Sequence, residues 1–247
     1  MENPIYYILS ALAALIALTV HEYSHAYAAH KLGDDTAKNF GRLTLNPIKH
    51  IDPIGAICMI FLHVGWAKPV PINMRNFKDP RKGFAITAAA GPLSNLIMAF
   101  ISAFLYVAVY ASLRDVVFHS RNFAFNLASN TLTFLLVFHS INIGLAIFNL
   151  LPIPPLDGSR LLGLVLPEKI YYTVLRYEQK IYYGVLAWLF VGDYVAYALR
   201  AIPFISASPV LNFIVGIFSL SDMLGAAISF ISGLMFDFWQ LIPFLQF

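Results

Sequence analysis

The sequence predicts an all-α, polytopic membrane protein, and three observations carry that prediction. Hydrophobic residues make up 59% of the chain and charged residues only 12%, at a mean hydropathy of +0.71, whereas a soluble domain carries about 25% charged residues. Apolar runs of about 20 residues, the length needed to cross a bilayer, recur along its 247 residues. Lysine and arginine gather in two of the connections between those runs, the asymmetry that orients a chain in a membrane. They form no single basic tract, so the formal charge of +3 does not point to nucleic acid. The one cysteine, Cys58, excludes an internal disulfide and argues against a thiolate metal site.

The first span runs from Ile5 to about Ala29, with no charged side chain before His21 and Glu22. The opening MENPIYY lacks the basic region and small-residue cleavage pattern of a secretory signal, so the run reads as a retained helix. A second span covers Phe84 to about Leu113, a third about Thr131 to Leu151, and a fourth about Tyr182 to Leu199, tolerating Asp193. Beyond Arg200 the tail is apolar but broken by Pro203, Pro209 and Pro243. It accommodates either one span with a re-entrant piece or two short spans. The apolar run Ile54–Val64 is too short to cross and reads as a segment that turns back. Around it, GRLTLN (Gly41–Asn46) and WAKPVPIN (Trp66–Asn73) read as short edge strands or extended loops, the second because prolines cannot donate to a ladder. Internal repeats and low-complexity tracts are absent from the sequence.

Nine Lys/Arg lie between Lys31 and Lys82 and four more between Arg160 and Lys180. If Ile54–Val64 turns back, both basic stretches share one side, expected to be cytoplasmic. From Ile5 to His21 is 16 residues, about 24 Å of helix. Against a hydrocarbon core of about 30 Å, His21 falls within the inner leaflet.

That placement makes TVHEYSHAYAAH (Thr19–His30) the most informative stretch of the chain. On a helix, His21 and His25 point the same way and can clamp one ion. Glu22, about 100° around from His21, can act on water beside that ion without being a ligand. Three ionisable groups in a membrane helix are expensive and are kept for function. Zinc acidifies its water, and a nearby carboxylate can move the released proton to a leaving amine, which is the chemistry of peptide-bond hydrolysis.

A catalytic zinc takes three protein ligands and leaves a fourth position open. His30 lies about 140° from the clamp face, and the longer pattern ending in a third histidine is missing. Glu168 and Glu178 sit among Lys169, Arg176 and Lys180 and read as surface residues; His119 belongs to a loop on the far side; His139 suits a hydrogen bond inside the bundle. Asp157 is the favoured ligand, in NLLPIPPLDGSRLL (Asn149–Leu162), where three prolines end the third span near the depth of the histidines. Its alternative role is a helix N-cap, worth about 0.5–2 kcal/mol.

Together these residues resemble the site-2 protease family of intramembrane zinc metalloproteases, over most of Ile5 to Leu162. The resemblance rests on HEYSH (His21–His25), NPIKHIDPIG (Asn46–Gly55), AKPVPIN (Ala67–Asn73), GPLSN (Gly91–Asn95) and NLLPIPPLDG (Asn149–Gly158), in that order. It implies a three-helix catalytic core within residues 1–162, with the strand-like and re-entrant segment at about 40–75. Membrane helices follow in residues 163–247, with no soluble PDZ or CBS domain. It implies one Zn2+ per chain held by His21, His25 and Asp157, with Glu22 as general base and acid. Asn46, Pro47 and His50 are then expected near the cleft, and Asn95 and Asn149 to help position substrate. Local alternatives are a turn at Asn46-Pro47, a packing hydrogen bond at Asn95, a cap at Asp52, and close helix approach at Gly91-Pro92.

The expected partners are a single-pass transmembrane protein as substrate and membrane lipid, with no nucleic acid. The setting is expected to be a prokaryotic plasma membrane, with the site toward the cytoplasm. A membrane helix hides its peptide bonds in internal hydrogen bonds, so substrate must unwind, and an exposed extended edge would receive it. Two other readings compete: a catalytically inactive relative that binds membrane helices, and a metal transporter. The intact Glu22 counts against the first, and the lack of matching halves against the second.

Overall fold

The long helix that opens the chain, α1 (Pro4–Lys31), is built to be approached closely: its buried positions are Ala13, Ala17, Thr19, His21, His25, Ala26 and Ala29. Small residues let membrane helices pack backbone to backbone. The computed structural model describes residues 4–55, 67–119 and 123–242. α1 ends in a turn where Gly33, at φ 104°, takes a left-handed conformation open to glycine. There Gly33 N donates to His30 O and Asp34 N to Ala29 O, closing off two terminal carbonyls.

The short α2 (Thr36–Asn39) follows, and then a connection held by side chains rather than by a ladder. The described residues form no strand; GRLTLN and the described part of WAKPVPIN are turns, bends and coil, and the antiparallel bridge made by Ala67 is to Ile51, beyond GRLTLN. The reason is chemical. Pro69 and Pro71 cannot donate, and the carbonyls of Lys49, Lys68 and Pro69 are all taken by the buried guanidinium of Arg42. Asp34, also buried, anchors the far end by accepting from the Asn73 amide at 2.7 Å and Asn76 Nδ2 at 2.7 Å. The expected re-entrant run Ile54–Val64 lies outside the described residues beyond Gly55.

α3 (Pro80–His119) is 40 residues long, begun by Asp79, whose Oδ1 accepts from the amides of Arg81 and Lys82. α4 (Phe123–Leu150) packs along α3, and α1 lies against both. This is the expected three-helix core. After α4 the prolines break the helix, and α5 (Asp157–Val165) folds back onto α3 and α4.

Next come α6 (Glu168–Arg176), α7 (Glu178–Arg200), α8 (Pro203–Ala207), α9 (Pro209–Phe218) and α10 (Leu220–Gln240). The predicted fourth span falls in α7. The tail left open by the sequence is two short helices and one long one. α10 docks on the core: Trp239 Nε1 donates to Phe100 O at 3.0 Å, and Ser232 Oγ lies 3.0 Å from His139 Nε2. Four described helices are long and apolar enough to cross a membrane: α1, α3 as far as Leu113, α4 and α10.

Candidate metal centre

His21 and His25 leave α1 one turn apart, facing α3, and Asp157 arrives from the first turn of α5. The Nε2 atoms of His21 and His25 are 3.0 Å apart, and each lies 3.2 Å from Asp157 Oδ2. One potential ligand atom from each of the three residues thus falls within 4.8 Å of the others.

Where the protons are follows from the other ends of the rings. His25 Nδ1 is 2.8 Å from the carbonyl oxygen of Thr87, which can only accept, so Nδ1 carries the hydrogen. His21 Nδ1 is 2.6 Å from Asn95 Oδ1. The Asn95 amide is turned that way because its nitrogen donates to the carbonyl of Ala17 at 3.3 Å. Both Nε2 atoms therefore present lone pairs to one another and to a carboxylate oxygen. Asp157 Oδ2 is buried and has no hydrogen-bond partner, in keeping with contacts at 3.2 Å that hold no proton between them. A buried, unpaired carboxylate oxygen is costly. A proton can relieve one of the three contacts at a time, whereas a cation among them satisfies all three, with each ligating imidazole steadied by a hydrogen bond from its outer nitrogen. Two imidazoles and one carboxylate are a donor set that suits zinc. The residues present fit that ion.

Two glycines make the convergence possible. Gly91 gives the two imidazoles their space on the face of α3, and Gly158 lets α5 begin against the carbonyls of Leu150 and Leu151 at the end of α4. Asp157 does not act as the N-cap of α5. That position belongs to Leu156, with no side-chain cap bond.

Glu22 is half-buried next to His21, and its carboxylate bonds to no described residue. Asn95 is fully buried, and its contact is with His21. Asn149 is half-buried and donates to Leu145 O in its own helix at 3.0 Å. Asn46 caps the 3-10 turn Pro47–Lys49 by accepting from Ile48 N at 3.1 Å, and that turn packs on α1. His50 is buried beside it, 2.7 Å from Thr44 O. Asp52 Oδ1 accepts from the amides of Ile54 and Gly55, both at 2.9 Å. Three of the residues set aside as ligands have other partners: His30 bonds Asp35, Glu178 pairs with Arg160, and His139 lies 2.9 Å from Ala99 O.

The sequence reading missed Asn142, fully buried on α4 and 2.7 Å from Asn95 through its Oδ1. An amide in an apolar span was the available signal. It also missed Arg42 and Asp34, whose partners are far along the chain and leave no local pattern.

Residues 9–192 match the protein family described as Peptidase family M50. The chain belongs to this family, the site-2 proteases. It is 38% identical over 209 residues to "Putative zinc metalloprotease YwhC" of Bacillus subtilis (strain 168), covering 81% of this chain and 91% of that protein. Two proteins bearing the name "Putative zinc metalloprotease Rip2" are more distant. That of Mycolicibacterium smegmatis is 30% identical over 156 residues, 62% of this chain and 55% of the relative. That of Mycobacterium tuberculosis is 26% identical over 209 residues, 76% and 74% respectively. No solved structure matches the chain. Family membership and four apolar helices together make it a multi-pass membrane metalloprotease of the M50 family.

Proposed function

We propose that this M50 protein is a zinc endopeptidase that cuts single-pass membrane proteins within or beside their transmembrane segment, releasing a cytoplasmic fragment in regulated intramembrane proteolysis. The observation that carries the reading is the meeting of three lone-pair donors, His21 Nε2, His25 Nε2 and Asp157 Oδ2, on helices apolar enough to span a membrane. These residues would hold one zinc ion per chain, and zinc supplies Lewis-acid polarisation of a peptide carbonyl and acidifies water. Glu22 takes the proton of the attacking water and returns it to the leaving amine. Its free carboxylate, adjacent to a ligand, supports that role.

Substrate binds along the connection after α1. In the extended run Lys68–Asn73, Lys68 N donates to His50 O and Asn73 N to Asp34. The amides of Val70 and Ile72 bond to no described residue, so an unwound substrate can add alongside as a strand. His50, whose carbonyl accepts from Lys68 N, adjoins this run, with Asn46 and Pro47 in the turn before it, and Asn149, near the end of α4, presents its side-chain oxygen to substrate. The basic connections support a site on the cytoplasmic side, and the membrane in this reading is a prokaryotic plasma membrane.

The test compares membrane proteins from cells carrying the wild type and Glu22→Gln. A single-pass protein that persists uncut and co-purifies with Glu22→Gln is the expected result. No accumulating protein, together with wild-type protein purified free of stoichiometric zinc, would overturn the reading.

A further inference from the structure

We propose that Asn142 is a positioning residue for the metal centre, which fixes the proton of His21 from the far side of the bundle by acting through Asn95. The proposal rests on the reading of His21, His25 and Asp157 as a zinc site.

The chain of bonds runs in one direction. Asn142 Nδ2 donates to the carbonyl of Phe138 in its own helix at 2.8 Å. A carbonyl only accepts, so the amide is locked with Oδ1 toward α3. There it accepts from Asn95 Nδ2 at 2.7 Å. The same nitrogen donates to Ala17 O at 3.3 Å, so both hydrogens of Asn95 are used and its Oδ1 is left facing His21 Nδ1 at 2.6 Å. His21 must then carry its hydrogen on Nδ1 and keep Nε2 bare toward Asp157. Three helices, α4, α3 and α1, contribute one link each. Asn142 and Asn95 are both wholly buried, so water cannot substitute for either.

Without Asn142, only the longer bond to Ala17 orients Asn95. The amide can then rotate to offer a donor to His21 Nδ1, which moves the imidazole hydrogen to Nε2, the atom aimed at the site. A simpler role for a buried amide is glue between helices. Ser102 shows what glue alone looks like here: its Oγ, also on α3, donates to Leu135 O on α4 at 2.7 Å with no link to the histidines.

The roles separate by zinc affinity, measured by chelator competition on the full chain purified in detergent, beside thermal unfolding of the zinc-free proteins. Asn142→Ala is expected to weaken zinc about 10–100-fold, while Ser102→Ala lowers thermal stability without changing affinity. Asn142→Asp should recover most of the affinity, because a protonated carboxyl accepts from Asn95 and donates to Phe138 O as the amide does. Should Asn142→Ala fail to fold, Asn142→Asp carries the test alone, near-wild-type affinity being expected. Wild-type affinity in Asn142→Ala, an equal loss in Ser102→Ala, or a folded Asn142→Asp weaker than Asn142→Ala each overturns the proposal. Wild-type protein that takes up no zinc overturns the zinc site as well, which distinguishes the two failures.

Discussion

Gly91 on α3 lies so close to His25 on α1 that a Cβ added to it would sit 2.4 Å from His25 Nε2, with His21 Cε1 only 2.7 Å away. The glycine is thus the floor on which both imidazoles rest. Gly91→Ala should push the rings off their shared point and weaken zinc by at least about tenfold, the scale of other changes around metal ligands. Activity should fall about 100-fold, as for an Ångström-scale misplacement. Gly225→Ala, where a Cβ meets nothing within 4 Å, is the control. Zinc competition that does not distinguish these two variants would show that the rings find room elsewhere.

Gly158 faces a harder obstacle. A Cβ there would lie 2.2 Å from Leu150 O, and a helix carbonyl cannot swing aside as a ring can. Gly158→Ala must lift the start of α5, with Asp157 as its first residue. Overpacking of this kind costs about 1–3 kcal/mol, so this variant should lose both zinc and thermal stability. In Gly91→Ala the zinc loss should dominate. Calorimetry with and without zinc checks the contrast; retention of wild-type affinity by Gly158→Ala would place the Asp157 carboxylate outside the site.

These glycines show what could be read in advance. The spacing of His21 and His25 is a property of one helix, and Asp157 stood out by elimination at the same depth, so the meeting of these three residues was legible. GPLSN was recognisable too, but the reasons for its glycine and asparagine lie in α1, 74 residues before Asn95 in the case of its bond to His21. No local pattern carries such a distance. Asn142 left only the signal of one amide in an apolar run, because the partner that explains it, Asn95, lies 47 residues away. That the region after α1 is largely irregular was legible from its prolines, whereas its actual scaffold, Arg42 and Asp34, is made of side-chain bonds across the connection. The tail could not be parsed because Pro203 and Pro209 are equally compatible with a break inside a span and with the start of a short helix; the structure has the second.

Arg42 should separate substrate handling from metal binding. Arg42 is 5% exposed, and its guanidinium serves the carbonyls of Lys49, Lys68 and Pro69 together. Arg42→Ala leaves those groups without their donor, and Arg42→Lys cannot replace a planar fork with a single ammonium. Both variants should bind zinc as the wild type does, cleave substrate at least about tenfold more slowly, and lose hydrogen-exchange protection at Lys68, whose amide bonds His50 O. The tenfold figure corresponds to about 1.4 kcal/mol of barrier, the scale of one buried donor removed. Full cleavage with lost protection would show that this connection does not receive the substrate.

The other anchor gives a pH dependence. Burial alone would push the Asp34 carboxyl up. The Thr36 side chain and amide, the Asn73 amide and Asn76 nevertheless donate to it, and together they hold it below the ordinary carboxylate range. A carboxyl lowered on folding adds stability that is complete above its unfolded value of about 3.9 and is lost as pH falls through the lower, folded value. Hydrogen-exchange protection at Asn73, corrected for the intrinsic rate, should therefore stay level from about pH 8 to 5 and decline only below about pH 4. Asp34→Asn keeps an acceptor but removes the charge, so protection should be lower at pH 7 and flat toward acid. A decline in the wild type already complete between pH 7 and 5 would assign the anchor to a histidine, with His50 and His30 the nearest to this connection, rather than to Asp34.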